Sequence, residues 1–201
     1  MINQLLNPYT FSAAEIECID LAANNWDSRR NCIKELKDRI NSHMDTHQGE
    51  KCCYCGGLYD RTGRGEIDHI APRGTGLYPQ FSFTANNLAK ACQLCNSSTM
   101  KHMENTIAVL NADYNQCVFT IVHPYLDDHS LHYSWNYGIR NVLISIANNS
   151  VKARVSIELF ELDSVKRTRA RTAQRNQERL ESVLNLPEAV KQRIKAVLRF
   201  K

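Results

Sequence analysis

No stretch of this 201-residue chain approaches the roughly 18 consecutive apolar residues that a membrane-spanning helix needs, so no transmembrane segment is expected. The first 28 residues lack Lys and Arg altogether, which argues against a cleaved secretory signal and for a cytoplasmic protein. Repeats, low-complexity tracts and obvious linkers are missing as well. The middle third has too few large apolar residues to fold by burial alone, so something other than a hydrophobic core must hold it. What is present is an ordinary globular balance of 43% hydrophobic and 23% charged residues, enough for one compact domain or two small ones.

The formal net charge is only +4, but it is uneven. Residues 161–201 hold 11 Lys and Arg against 5 Asp and Glu, which makes the C-terminal end the candidate for meeting a polyanion. Eight cysteines without an export signal read as metal ligands and buried thiols rather than as a disulfide framework.

Three stretches differ in pattern. Residues 1–50 read as a helical pair: Ser12 with Glu15 forms a capping box, and Ile33, Leu36, Ile40 and Met44 recur at helical spacing. Residues 51–110 are Gly- and Cys-rich at first, with a helix expected from Asn96 to Leu110. Residues 111–201 return to ordinary globular sequence, with strands expected at Val118–Val122, Asn141–Ala147 and Ala153–Phe160 and helical periodicity from Leu162 onward.

Cys52 and Cys55, and again Cys92 and Cys95, are C-x-x-C pairs, the spacing at which a tight turn aims two thiolates at one tetrahedral ion. These four are assigned to a structural Zn²⁺, with Cys53 as a neighbour. Four thiolates leave no open coordination position, so such a zinc staples the chain and performs no chemistry. Cys18, Cys32 and Cys117 are expected as buried small hydrophobes.

Between the pairs lie Asp68-His69 and Asn87-Leu88, and Asn96 follows Cys95 directly. C-x-x-C, Asp-His, Asn-Leu and C-x-x-C-Asn in that order resemble the HNH endonuclease family over about residues 52–102. The resemblance implies an α+β fold, namely a zinc-stapled ββα-metal module between N-terminal helices and a C-terminal α/β extension. His69 then corresponds to the first H, Asn87 to the N that fixes the loop behind it, and Asn96 to the last position. Thr99 stands where many members carry Lys, and Lys101 comes two residues later.

Phosphodiester hydrolysis asks for such residues in any case. A neutral imidazole at His69 can take a water's proton, and Asp68 and Asn96 offer hard oxygens suited to Mg²⁺ or Mn²⁺. Adjacent strand residues face opposite ways, so Asp68 and His69 serve one site only if the strand bends between them. Arg73 and Lys90 flank the site as candidate contacts to nucleic acid, with Lys101 a third.

Arg167, Arg171, Arg175 and Arg179 recur every four residues, a stripe able to follow a DNA or RNA backbone or an acidic partner. Leu162, Val165, Ala173, Leu180, Val183 and Leu184 fall on the opposite side, the side expected to pack. The segment His123–His132 gathers three His and two Asp and reads as a polar loop against the module, with a second metal or substrate site as the alternative. That segment, with the helix before the knuckle, is similar to small HNH nucleases encoded beside an ATPase in Septu and retron anti-phage systems. An ATPase subunit is the partner this implies. The competing expectations are a non-catalytic zinc-ribbon nucleic-acid-binding module and an ATPase-docking accessory subunit.

Overall fold

A computed structural model describes residues 2–59, 63–74, 76–138 and 142–184, with Pro187 and Val190. Among the described residues are four α-helices and three two-stranded antiparallel sheets, a mixed α and β arrangement. None of the helices is long and apolar enough to cross a membrane.

Helix α1 (Ala13–Leu21) starts at the expected capping box, with the Ser12 hydroxyl accepting from the Glu15 amide and the Glu15 carboxylate accepting from the Ser12 amide. Burial raises the Glu15 pKa, but hydrogen bonds from Ser12, Tyr9 and Arg39 outweigh it and bring the carboxyl down to about 2. Helix α2 (Asn31–Gln48) buries Ile33, Leu36, Ile40 and Met44 along one stripe and stops at Gly49, whose φ of 61° costs a residue without Cβ little. Cys18 and Cys32 are not separate buried thiols: they form a disulfide that ties α1 to the start of α2. Cys117 does stay a buried thiol, accepting from the Asn111 amide.

Strands β1 (Gly65–His69) and β2 (Leu88–Cys92) pair so that Asp68 faces Ala89 and His69 faces Leu88. Every residue of β2 is buried. Leu88 belongs to the cluster formed by α2, Cys18, Ile19 and Trp26, whereas Ala89, Ala91 and Cys92 belong to a larger one. That larger cluster joins the cysteine segment to Ile107, Phe119, Ile121, Ile157, Phe160 and Leu162. Two further hairpins follow, β3 (Ile107–Val109) with β4 (Val118–Phe119) and β5 (Tyr133–Tyr137) with β6 (Val142–Ile146), before α3 (Val151–Leu159) and α4 (Val165–Leu184).

Several expectations are corrected. Residues 153–160 lie in and just after α3 rather than in a strand: their apolar side chains alternate, but Ser150 caps the helix through the Ala153 amide, and Ala153, Ile157 and Phe160 share its buried side. Residues 96–103 form turns, and β3 follows where a helix was expected. In that run the Ser97 hydroxyl donates to the Leu94 carbonyl and the Lys101 amide to the Cys95 carbonyl, local bonds that compete with helix. The strand expected over 118–122 ends at Phe119, with Ile121 and Val122 buried beyond it. Asn141 of the next expected strand, the side chains of Val183 and Leu184, and the basic residues from 191 onward lie outside the described residues.

The greatest departure concerns α4. Arg167 and Arg171 face inward, whereas Val165 and Leu180 are 66% and 65% exposed. The arginines turn in because the interior offers unpaired acceptors and aromatic faces. Arg171 donates to the carbonyls of Val142 and Leu162 and lies over the Trp135 ring, and Arg175 lies over Tyr137. Of the stripe, only Arg179 is fully on the solvent side.

Candidate zinc centre and adjoining cleft

Two turns bring the cysteine pairs together. In the first, the Cys52 amide donates to the Gly57 carbonyl, the Gly56 amide returns to the Cys52 carbonyl, and Gly56 takes a φ of 69°. In the second, the Asn96 amide bonds to the Cys92 carbonyl. The Cys53 amide bonds to the Lys90 carbonyl and so fastens the first turn to β2, the strand that ends in Cys92. All four sulfurs of Cys52, Cys55, Cys92 and Cys95 are buried within 4.8 Å of one another, and the Cys55 and Cys92 sulfurs are 3.9 Å apart. Tetrahedral coordination at Zn–S distances of about 2.3 Å requires sulfur separations of about 3.8 Å, so the cluster fits a structural zinc ion. Burial pushes the Cys52 thiol well above its ordinary range, and a cation at the centre would reverse that shift.

Arg167 completes this centre from α4. Its guanidinium lies 3.2 Å from the Cys95 sulfur. Burial alone would lower its pKa, but the surrounding sulfurs outweigh that and hold it protonated. Gln174, one face along, donates to the Gly56 carbonyl and accepts from the Leu58 amide. The helix expected to meet nucleic acid with its arginines is instead docked on the cysteine turns through them.

Beside the centre is a cleft of about 270 Å³ lined by Trp26, Ile67, Asp68, His69, Pro72, Arg73, Gly74, Asn96, His102 and Met103. Asp68, His69 and Asn96, chosen from sequence, all line it. The strand does not bend between the first two: pairing of β1 is regular through His69, and alternation sends their side chains to different partners.

The Asp68 carboxylate accepts from the Tyr54 hydroxyl at 2.5 Å and from the Lys101 ammonium at 3.1 Å. Lys101, its side chain fully buried, also donates to the His69 carbonyl at 2.8 Å. It is an internal counter-ion, not a surface contact. Asn96 donates to Glu66 at 3.0 Å, leaving its amide oxygen free of that bond.

His69 turns the other way. Its Nε2 is 3.0 Å from the Ser82 carbonyl, which can only accept, so Nε2 carries the proton. Its Nδ1 has no hydrogen-bond partner among the described residues. Trp26 meets the ring edge-on at 4.6 Å. Burial pushes the imidazole down to about 3, so it stays neutral at ordinary pH.

Asn87 sits behind His69 and is fully buried. Its side-chain oxygen accepts from the Ala71 amide at 2.6 Å, and its nitrogen donates to the carbonyls of Ala71 and Phe81 at 3.2 and 2.9 Å. One side chain thereby ties the residues after His69 to the turn that presents the Ser82 carbonyl.

The flanking cations are already engaged. Lys90, expected to meet nucleic acid, is buried and paired with Asp45, and its amide bonds to Gln48. Arg73 does line the cleft, held by a two-point pair with Asp27 at 2.6 and 3.0 Å. Trp26 and His102 line it too, and neither was singled out from sequence. The only available signal was a Trp in a polar loop and a His soon after the second cysteine pair.

The segment His123–His132 gathers no third metal ligand, since the four cysteines are the one candidate metal group among the described residues. His123 is fully buried, and burial pushes it down to about 3. Its ring is neutral in the folded chain and protonated below about pH 6.5 when unfolded, so the unfolded chain binds the extra proton. Stability from this group is therefore present above pH 6.5 and lost as pH falls toward 3, at about 1.4 kcal/mol per pH unit. Unfolding free energies from urea titrations between about pH 6.5 and 5.5, where few carboxylates titrate, should fall less steeply with pH in His123→Gln, by up to about that amount.

No family model and no curated protein matches the chain.

Proposed function

We propose that the protein is a metal-dependent HNH-type endonuclease that hydrolyses phosphodiester bonds in nucleic acid, DNA ahead of RNA. The observation that carries this reading is His69. Its ring is fixed by the Ser82 carbonyl, which leaves Nδ1 as the unprotonated nitrogen, and His69 lines a cleft together with Asp68 and Asn96.

In this reading His69 Nδ1 takes the proton of the attacking water, a role typically contributing about 10² to 10⁴ in rate. The depressed basicity of the free ring rises when an anionic phosphodiester enters, because nearby negative charge favours the protonated form. Asn87 keeps the ring and its carbonyl partner in register.

The donor set of the cleft also suits a weakly held Mg²⁺ or Mn²⁺. Asp68 and Asn96 supply hard oxygens, and Tyr54 braces the Asp68 carboxylate as an outer partner of a ligating carboxylate commonly does, while the Lys101 ammonium competes with the ion for it. Such an ion, when bound, supplies charge stabilisation at the scissile phosphate and the leaving oxygen. Arg73 is the cleft's own cation for the nucleic-acid backbone, and Lys166, Arg169 and Arg179 are the exposed cations of α4. Action beside an ATPase subunit in prokaryotic antiviral defence is the context that the sequence resemblance implies.

The test is cleavage of supercoiled plasmid and of bulk tRNA with Mg²⁺ or Mn²⁺. Wild type should cut at least one of them, and His69→Ala should lose the activity by about 10² or more while keeping its zinc and its thermal transition. Undiminished cutting by His69→Ala refutes the assignment. A second reading, a zinc-stapled binding module without catalysis, is favoured by the ammonium of Lys101 beside Asp68. Binding of the same nucleic acids by a wild-type protein that never cuts them would establish it.

A further inference from the structure

Behind Asn87 the hydrogen bonds continue. The Tyr114 hydroxyl is 2.9 Å from the Asn87 side-chain oxygen and 2.9 Å from His123 Nε2. His123 Nδ1 accepts from the amides of Tyr125 and Leu126, both at 3.1 Å. Those two amides can only donate, so Nδ1 is unprotonated and Nε2 carries the hydrogen. Nε2 then donates to the Tyr114 oxygen, and the Tyr114 hydrogen goes to Asn87, whose side-chain oxygen can only accept. Each proton has one place to be, and the direction cannot reverse.

The far end of this chain is anchored as well. The Asp127 carboxylate accepts from the His123 amide at 2.7 Å and pairs with the Lys152 ammonium at 2.8 Å through both oxygens. The Tyr125 hydroxyl donates to the carbonyl of Leu88, the residue after Asn87. Asn87, Tyr114 and His123 are all buried, so a missing link leaves a donor or acceptor with no water to replace it.

We infer that Tyr114 and His123 are positioning residues of the cleft, fixing through Asn87 both the backbone that follows His69 and the turn that holds its ring. The inference rests on the nuclease reading and gives the His123–Asp127 segment a role in it. The Ala71 amide and the Ala71 and Phe81 carbonyls set which end of the Asn87 amide faces which partner. The hydroxyl of Tyr114, constrained by His123 to donate, fills the second lone pair of that oxygen and holds the side chain in place from the far side. The turn bearing Ser82 begins beside Phe81, so the setting of Asn87 passes directly to the carbonyl that receives His69 Nε2.

Tyr114→Phe keeps the ring against Phe81 and Phe119 and removes only the hydroxyl. On the nucleic acid that wild type cleaves, single-turnover rate should fall about 10- to 100-fold, the usual range for an outer partner of a site residue, with affinity for the substrate unchanged. His123→Leu should behave alike, and His123→Gln, whose amide can still donate to Tyr114, should recover most of the rate. An unchanged rate in both Tyr114→Phe and His123→Leu, or a loss confined to substrate affinity, overturns the inference while leaving the nuclease reading intact. A second measurement is independent of cleavage. Long-range proton–nitrogen spectra of the His69 imidazole should show a single Nε2-protonated tautomer in wild type and a tautomer mixture or exchange broadening in Tyr114→Phe. An unaltered His69 resonance in that variant overturns the inference even if the protein cleaves nothing.

Discussion

Stripped of zinc by a strong chelator, or altered at Cys92→Ala, the protein should lose the folded state of its middle third. The cluster of Cys52, Cys55, Cys92 and Cys95 is where the cysteine turns, β2 and α4 meet, through the Cys53 amide on Lys90 and the Arg167 guanidinium on Cys95. Zinc binding at such sites is worth on the order of 10–16 kcal/mol of apparent folding free energy, comparable with the whole stability of a domain at about 5–15 kcal/mol. Without the ion, Arg167 keeps its charge in a buried position beside Cys95 with no metal–thiolate cluster to balance it, so α4 loses its counter-charge together with the metal. The purified chain should carry one equivalent of zinc by elemental analysis. Chelation should abolish amide protection in β1, β2 and the first half of α4. The α1–α2 pair, with its own stripe of Ile33, Leu36, Ile40 and Met44 and its disulfide, should be the last to exchange. Full protection in metal-free protein would show that packing alone holds the segment.

That contrast between stretches also marks what could be read from the chain. The capping box of Ser12 and Glu15, the stripe on α2 and the two C-x-x-C pairs are determined by neighbours a few residues apart, and each is where local spacing put it. The cleft was legible in part for the same reason, since Asp68 and His69 are adjacent and Asn96 follows a cysteine whose position is set. What escaped depends on partners far along the chain. Arg171 faces inward because the carbonyls of Val142 and Leu162 and the ring of Trp135 await it, and no periodicity within α4 can report that. An apolar stripe says that a helix has two faces, not which one finds an acceptor-rich neighbour. Residues 153–160 have the pattern of a strand because Val155, Ile157 and Leu159 alternate, and the signal that decides for helix is a single capping serine before them. Trp26 joins His69 only through the fold of the α1–α2 loop over β1, and Cys18 meets Cys32 for a like reason.

The other large effect should come from Lys101, which sequence offered as a phosphate contact and the fold uses to neutralise Asp68. Its ammonium has the Asp68 carboxylate and the His69 carbonyl as partners and no access to solvent. Replacing Lys101 with Met keeps most of the stem volume but leaves a buried carboxylate whose remaining partner is the Tyr54 hydroxyl. Breaking one side of a buried ion pair typically costs about 3–5 kcal/mol, whereas replacing both sides is far cheaper. Lys101→Met should therefore lower the urea midpoint sharply, and the double variant Asp68→Asn with Lys101→Met should regain much of the loss, a coupling read directly from a double-mutant cycle. The same variant interrogates the cleft. If Asp68 is a ligand for Mg²⁺ or Mn²⁺, removing the competing ammonium should tighten that binding, so millimolar Mn²⁺ should restore stability to Lys101→Met and not to the double variant. Restoration in neither would leave Asp68 as a structural partner of Lys101 and Tyr54, and would move the search for the cleft's cation to Asn96 and Glu66.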